Sequence, residues 1–341
     1  MASPGLRRQS VEFHLTICIF NTLPKVSVII PVYKVEQYIE CSVRSLMEQT
    51  LEDMEFIFIN DGTPDRSIDI LKSVLDRYPH RKPMVKIINH ERNKGYYWAI
   101  RSGVEHSVGE YVGFCDPDDR CELDMFEKMY LTACDQNADI VVNNCFIEHN
   151  DCQKKTNYRR SSTPQECLRR FHQKDRMAVA FWRHLIRKTA LSLDFFDRVI
   201  PPDHGTDLFV IIQVYYFARS IAATPDCLYH YRIRPNSITT APNRSKAMLE
   251  RQTSNISMIG NILGAGTTKT YRTMLNYLSF GNKQDYRAVF DNDREWFNFN
   301  RESHRDIWKF TKVGFIERMK TAFIFQNYHL WRLYYSLRKK Q

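Results

Sequence analysis

The chain has 341 residues, of which 43% are hydrophobic, 26% charged and 13% aromatic. That usage is too apolar and aromatic for a disordered chain, and 12 Gly with 13 Pro excludes collagen-like and low-complexity classes. The net charge of +10 is concentrated: residues 301–341 hold ten Lys/Arg against Glu302, Asp306 and Glu317, a net +7. The basicity is therefore a tail and not the basic recognition face of a nucleic-acid-binding domain.

Residues 1–24 read as an N-terminal extension. Arg7 and Arg8 precede the apolar run Phe13 to Phe20 as a signal peptide begins, but no small-residue cleavage site comes before Pro24. From Val26 to Tyr33 the chain is a buried strand, followed by helical spacing of apolar residues from Val35 to Gln49. Glu55–Asn60 is a second strand, stopped by Asp61-Gly62, and Asp65–Tyr78 a second helix. Met84–Asn89 and Tyr96–His106 form the third pair, Glu110–Cys115 and Leu123–Gln136 the fourth, and Asp139–Phe146 closes the series. Alternation of this kind, with strands apolar on both faces, predicts a parallel sheet covered by helices. Ligands in such sheets bind beyond the strands' C-terminal ends. Four polar clusters fall there: Pro31-Val32-Tyr33, Asn60-Asp61-Gly62, Glu91 to Gly95 and Asp116 to Asp119.

No apolar run approaches the roughly 18–20 residues of a membrane-spanning helix. Nine cysteines with no C-x-x-C pair predict reduced thiols in a cytoplasmic protein. The basic tail is also aromatic, with Trp308, Phe310, Phe315, Phe323, Phe325, Tyr328, Trp331, Tyr334 and Tyr335. Two readings stand for 301–341: an interfacial helix resting on the inner face of the membrane, or a terminal helix docking its aromatics on the body.

Neither G-x-G-x-x-G nor G-x-x-x-x-G-K-[ST] occurs, so a bound diphosphate needs another means of neutralisation. Asp116-Pro117-Asp118-Asp119 puts three carboxylates in four residues after a buried strand. Their repulsion favours a bound cation, and oxygen-only ligation suits Mg²⁺ or Mn²⁺. A helix N-cap is the alternative for Asp118 or Asp119.

The segments VSVIIPVYKVEQYIECSVRSLMEQT, EFIFINDGTPDRS, NKG, GEYVGFCDPDD and YHYRIRPNSIT, in this order, resemble the family 2 glycosyltransferases over Lys25 to Thr240. The resemblance implies an inverting, metal-dependent enzyme of the GT-A fold, of the type that builds bacterial surface polysaccharide. The fold expected is α/β, a mainly parallel sheet flanked by helices. Residues 25–148 form its nucleotide-sugar-binding half, 149–240 its acceptor and catalytic half, and 241–341 a helical basic region. Pro31, Val32 and Tyr33 match the loop packing on the donor nucleobase, and Asp61 the aspartate bonding the base, commonly uracil. Asn93, Lys94 and Gly95 match the turn lining the nucleotide. Asp116 and Asp118 match the ends of the D-x-D motif, near the ribose and on the metal; Asp119 is the aspartate that follows.

After Trp182 to Arg187 the family places its general base, which falls here on Asp207; a helix N-cap is the simpler reading of the same residue. The chain departs from the pattern at Thr206, where the acidic neighbour is lost, at Tyr96-Tyr97-Trp98, and at Arg101, one place from the expected arginine. His230 reads as a late metal ligand or as a strand residue, and Arg232 and Arg234 as phosphate clamps or solvent-facing residues. The function implied is transfer of a sugar from a nucleotide-diphospho-sugar, with UDP the expected nucleotide, to a hydroxyl of a glycan or lipid-linked acceptor. The alternatives are a catalytically inactive nucleotide-sugar-binding scaffold, favoured by the departures, and a sugar nucleotidyltransferase, disfavoured by the missing glycine-rich loop.

Overall fold

A computed structural model of the chain describes residues 23–149, 152–156, 163–169, 179–234, 245–264, 269–304, 324–325 and 327–338. The first half follows the predicted alternation. β1 (Val26–Val32), β2 (Met54–Asn60), β3 (Val85–Asn89) and β4 (Tyr111–Phe114) alternate with α1 (Ile39–Met47), α2 (Ser67–Leu75) and α3 (Tyr96–His106). All seven residues of β1 are buried, as a strand covered on both faces requires. Pro31 is tolerated in this central strand because the β1–β4 register ends at Ile29 opposite Phe114, so no partner there lacks its N–H.

Past β4 the chain adds β5 (Arg120–Cys121), α4 (Met125–Asp135), β6 (Ile140–His149), β7 (Cys152–Lys155) and the short α5 (Pro164–Arg169). Then come β8 (His184–Arg187), α6 (Asp194–Asp197), α7 (Thr206–Phe217) and β9 (Ile221–Arg232). Among the described residues the sheet has nine strands in the order β3-β2-β1-β4-β8-β6-β9-β5, with β7 on β6. β1, β2, β3, β4, β6 and β9 point one way, and β5, β7 and β8 the other. The sheet is thus mainly parallel, with one difference from the sequence reading. β6 does not sit beside β4: the Leu185-Ile186 stretch, expected only to lead up to the base, forms β8 and pairs antiparallel with both.

Two cores cover the two faces. Val26, Val28, Ile30 and Val32 alternate onto the face packed by α1, α2 and α4, while Ile29 faces α3 and α7. α3 lies so close to β1 that a Cβ on Gly103 would come within 2.3 Å of Ile29. The second core also takes α8 (Lys246–Ile262) and α9 (Lys269–Asp285), which bring Ile256, Ile259, Tyr271 and Met274 onto α7's side.

The C-terminal elements α10 (Asp293–Asn298) and α11 (Tyr328–Arg338) build a separate aromatic cluster of Trp296, Phe297 and Trp331, packed by Phe280, Phe325 and Tyr328. Three tail aromatics, Phe325, Tyr328 and Trp331, are thus docked on the chain's own body. Residues 305–323, which hold Trp308, Phe310, Phe315 and Phe323, lie outside the described residues, so that part of the membrane expectation does too. Among the described residues no helix is long and apolar enough to cross a membrane, and Cys41, Cys115, Cys121, Cys134, Cys145, Cys167 and Cys227 are free thiols.

The aromatic cluster encloses a cation. Lys283 is fully buried, donates to Phe297 O at 3.0 Å, contacts His304 Nε2 at 2.8 Å and lies 4.6 Å from the Trp296 ring centroid. Burial pulls its ammonium from 10.5 down to about 7, and burial with the Lys283 charge brings His304 to about 3. Arg287 and Arg301 also face these rings, and Asp293 pairs with Arg287. Between those two values for Lys283 the unfolded chain binds a proton that the folded chain does not. Stability is therefore expected to rise from about pH 7 towards pH 10. Denaturant unfolding at several pH values should show this slope in the wild type and a smaller slope in Lys283→Met.

Candidate functional site

The C-terminal ends of β1, β2, β4 and β9 meet at one cleft, and Asp61 organises its first wall. Asp61, 3% exposed, donates its N–H to Val32 O at 3.1 Å. Its Oδ1 accepts from Lys94 N at 2.9 Å and faces His90 Nδ1 at 2.7 Å, and its Oδ2 accepts from Gly95 N at 2.8 Å. With Nδ1 donating, His90 Nε2 accepts from the Ser102 hydroxyl at 3.0 Å. Asp61 therefore grips the Asn93-Lys94-Gly95 turn and keeps one lone pair of Oδ2 for an incoming N–H. His90 was not singled out from sequence; the signal was a histidine directly after β3 on the strand-end side.

Two glycines make this wall possible. Gly62 has φ 63°, and a Cβ there would meet Arg92 C at 2.6 Å and Asn93 N at 2.7 Å. Gly95 has φ 91° and open space around it. Of the residues matched to the nucleobase loop, Val32 is fully buried and packs in the core, so it contributes backbone only. Pro31 is buried as well, while Tyr33 stands on the rim at 36% exposure with the Lys34 ammonium 5.3 Å from its ring centroid. Asn93 and Lys94 are exposed. Beside them a cleft of about 510 Å³ is lined by Lys34, Glu36, Gln37, Tyr38, Pro64, Asp65 and Arg234.

The second wall is carboxylate. Asp116 N donates to Tyr229 Oη at 3.0 Å, and Asp116 Oδ1 accepts from the Tyr96 hydroxyl at 3.4 Å. Burial, then the charges of Asp118 and Asp207, push Asp116 from 3.8 up to about 8. Asp207, on the first turn of α7, accepts from Leu208 N at 3.0 Å, and burial raises it to about 6. Its effect on Asp116 brings the predicted base and the D-x-D motif into one electrostatic cluster. Asp118 Oδ2 lies 2.5 Å from Arg234 Nε. That contact is off the line a hydrogen bond needs, so this buried N–H has no hydrogen-bond acceptor among the described residues.

Asp119 and His230 are both engaged by neighbouring protein groups. Asp119 is 3% exposed, and both its oxygens are engaged by β9: Oδ2 accepts from Tyr229 Oη and Oδ1 from Arg232 N, each at 2.8 Å. The two-residue alternation of β9 puts Tyr229 on the cleft side and His230 on the other. There His230 stacks on Phe146 and sets Nδ1 2.7 Å from Glu148 and Nε2 2.6 Å from Glu122. Trp182 stacks on Tyr229 with centroids 4.4 Å apart, supporting the tyrosine that ties Asp116 to Asp119.

The departures resolve one by one. Thr206 is 2% exposed, and Arg101 pairs with Asp197 at 3.2 Å and Glu105 at 3.5 Å, so it is committed to the surface of α3 and α6. Tyr97 is buried and donates to Phe196 O at 2.7 Å, and Trp98 is 39% exposed. Only Tyr96 of the three aromatics meets the carboxylates. The Arg232 and Arg234 guanidiniums lie 5.4 and 5.6 Å from the Tyr38 ring centroid, which holds both cations at the cleft.

Among the described residues no three His, Cys, Asp or Glu side chains converge as a metal cage. Asp116 and Asp118 nevertheless fit a hard dication held by one or two carboxylates, with substrate phosphate and water completing the set. Their mutual repulsion and the unmatched Arg234 N–H mark a site balanced for both a cation and an anion.

The family model described as glycosyl transferase family 2 matches residues 27–193. The uncharacterized glycosyltransferase EpsJ of Bacillus subtilis (strain 168) is 33% identical over 230 residues, 64% of this chain and 64% of EpsJ. The minor teichoic acid biosynthesis protein GgaB of the same organism is 27% identical over 226 residues, 65% of this chain and 24% of GgaB. The chain thus spans less than two thirds of the length of these relatives. A crystal structure of S. aureus TarS 1–349 with UDP-GlcNAc superposes with a TM-score of 0.70 at 16% identity, covering 93% of this chain and 92% of that one. That likeness establishes the GT-A fold.

Gly62→Ala tests the first wall. The Cβ meets backbone at 2.6 Å in a left-handed conformation, at a cost of roughly 1–3 kcal/mol. Denaturant unfolding should show that loss.

Proposed function

We propose that this chain is a family 2 glycosyltransferase, the family whose model matches residues 27–193, and that it transfers a sugar with inversion from a UDP-sugar to a hydroxyl of a glycan or lipid-linked acceptor in surface polysaccharide synthesis. The observation that carries the reading is the meeting of Asp116 and Asp118 with Asp207 in one cleft. Asp207 pushes Asp116 up, although the two come from different elements 91 positions apart. The relatives' names support the acceptor class, and the TarS complex supports UDP as the nucleotide.

The chemistry follows from what each side chain offers. Tyr33 stacks on the base at the rim, and the remaining Oδ2 lone pair of Asp61 accepts a base N–H. Asp116 and Asp118 would hold Mn²⁺ or Mg²⁺, which supplies charge neutralisation to the leaving diphosphate. Arg234, already beside Asp118, offers its unmatched N–H to a diphosphate oxygen. Asp207 takes the proton of the acceptor hydroxyl as that oxygen attacks the anomeric carbon from the face opposite the diphosphate. Its value of about 6 keeps it ionised yet basic at neutral pH. The helix begins at Thr206 with Gly205 in the cap position and no side-chain cap bond, so Asp207 lies inside the first turn and does not cap it; Leu208 N engages its Oδ1.

Asp207→Asn is expected to leave UDP affinity within about twofold and to lower kcat by about 10²–10⁴. Unchanged turnover would remove Asp207 from the role of base. In the wild type, kcat/KM should fall as pH drops through about 6, where Asp207 takes up a proton; a flat profile from pH 5 to 8 would contradict this. Calorimetric titration with UDP, with and without Mn²⁺, should give binding that EDTA weakens and that Asp118→Ala abolishes. Metal-independent binding of equal strength would overturn the assignment of Asp116 and Asp118.

A further inference from the structure

Tyr96 is the one aromatic of its triplet that the fold turns toward the carboxylates. Asp61 holds the amides of Lys94 and Gly95, and Gly95 at φ 91° leads the chain directly into α3, so Tyr96 enters at a defined height. Its ring packs against the core that also carries α7, and its hydroxyl donates to Asp116 Oδ1 at 3.4 Å. A phenol, with an ordinary pKa of about 10, carries its proton at neutral pH. Tyr96 is thus a neutral donor in contact with one carboxylate of the diphosphate side and within the field of the base.

The transferred sugar must lie in that interval. In the reaction proposed above, on which this step rests, the diphosphate leaves on the Asp116–Asp118 side and the acceptor is activated by Asp207. The anomeric carbon and its ring sit between. We propose that Tyr96 lines the donor-sugar subsite and selects the transferred sugar, its hydroxyl donating to a ring hydroxyl of a hexose placed between Asp116 and Asp207. A contact of 3.4 Å is long for O–H···O, whose usual distance is about 2.7–2.8 Å. A sugar hydroxyl therefore has an advantage: it accepts from Tyr96 and donates to Asp116, replacing one poor bond by two good ones. An epimer that points this hydroxyl elsewhere leaves the buried phenol without a partner, which is how a polar site discriminates most strongly. Tyr97 and Trp98 are excluded from this role, the first by its bond to Phe196 O and the second by its place on the outer surface.

The test compares wild type with Tyr96→Phe, titrated with UDP, UDP-glucose, UDP-galactose, UDP-GlcNAc and UDP-GalNAc in Mn²⁺, and assayed for donor hydrolysis. UDP affinity should agree within about twofold, because nucleotide contacts are untouched. The preferred donor should lose roughly 10–100-fold in kcat/KM, and its preference over the C4 epimer should shrink to about threefold or less. Tyr96→Leu, which removes the ring as well, should lose the same preference. Retention of the wild-type donor ranking and KM in Tyr96→Phe would overturn the proposal. So would a uniform loss of UDP affinity and thermal stability with the ranking intact, which is what a packing role alone produces. A wild type that binds no nucleotide and no nucleotide sugar would instead overturn the reaction itself, and this inference with it.

Discussion

Asp116, Asp118, Asp119 and Asp207 bring four carboxyl groups to one end of one sheet, and the rest of the site is arranged around their repulsion. Left to itself such a cluster takes up protons, and Asp116 at about 8 shows the direction. The fold answers each charge differently. Asp119 accepts hydrogen bonds from Tyr229 and the Arg232 amide, Asp118 faces the Arg234 guanidinium, and Asp207 accepts from the amide of Leu208. Asp116 receives only a long bond from Tyr96. Asp116 is set where a diphosphate and its counter-ion are proposed to lie, and an incompletely compensated carboxylate there favours a bound cation.

Holding these groups in place is the work of both cores. α1, α2 and α4 fix the end of β4 from one side, and α3, α7 and α8 carry Tyr96 and Asp207 from the other. β8 is what joins the two halves: by pairing antiparallel with β4 and β6 it continues the sheet across a break in the alternation. Trp182, just before β8, then stacks on Tyr229, so the segment that precedes the base also supports the residue tying Asp116 to Asp119.

Much of the first wall was legible from local pattern. Runs such as Val26–Val32 and Glu55–Asn60 declare themselves as buried strands because both faces are apolar, and a ligand cleft at their C-terminal ends follows from the connectivity. The D-x-D cluster stood out because three adjacent carboxylates are costly without a reason. The roles of Asp119 and His230 were not legible. Each depends on which face of β9 it meets, and that register is set by β6 and β5, distant in sequence. His90 escaped notice, and Tyr96 stood out only as a departure from the family pattern, for a similar reason: an imidazole after a strand and a tyrosine at a helix start acquire meaning only from Asp61 and Asp116 opposite them.

The sequence by itself determined the alternating strands and helices, the acidic cluster, the Asp207 candidate and the family resemblance, because periodicity and motif spacing are properties of the local chain. The tertiary structure decided which carboxylates share a field, which are occupied by β9, that β8 separates β4 from β6, and that Phe325, Tyr328 and Trp331 fold back onto Trp296. These are pairings between segments tens to more than a hundred residues apart. Burial and charge act through space, and no local pattern records which distant side chain will lie opposite.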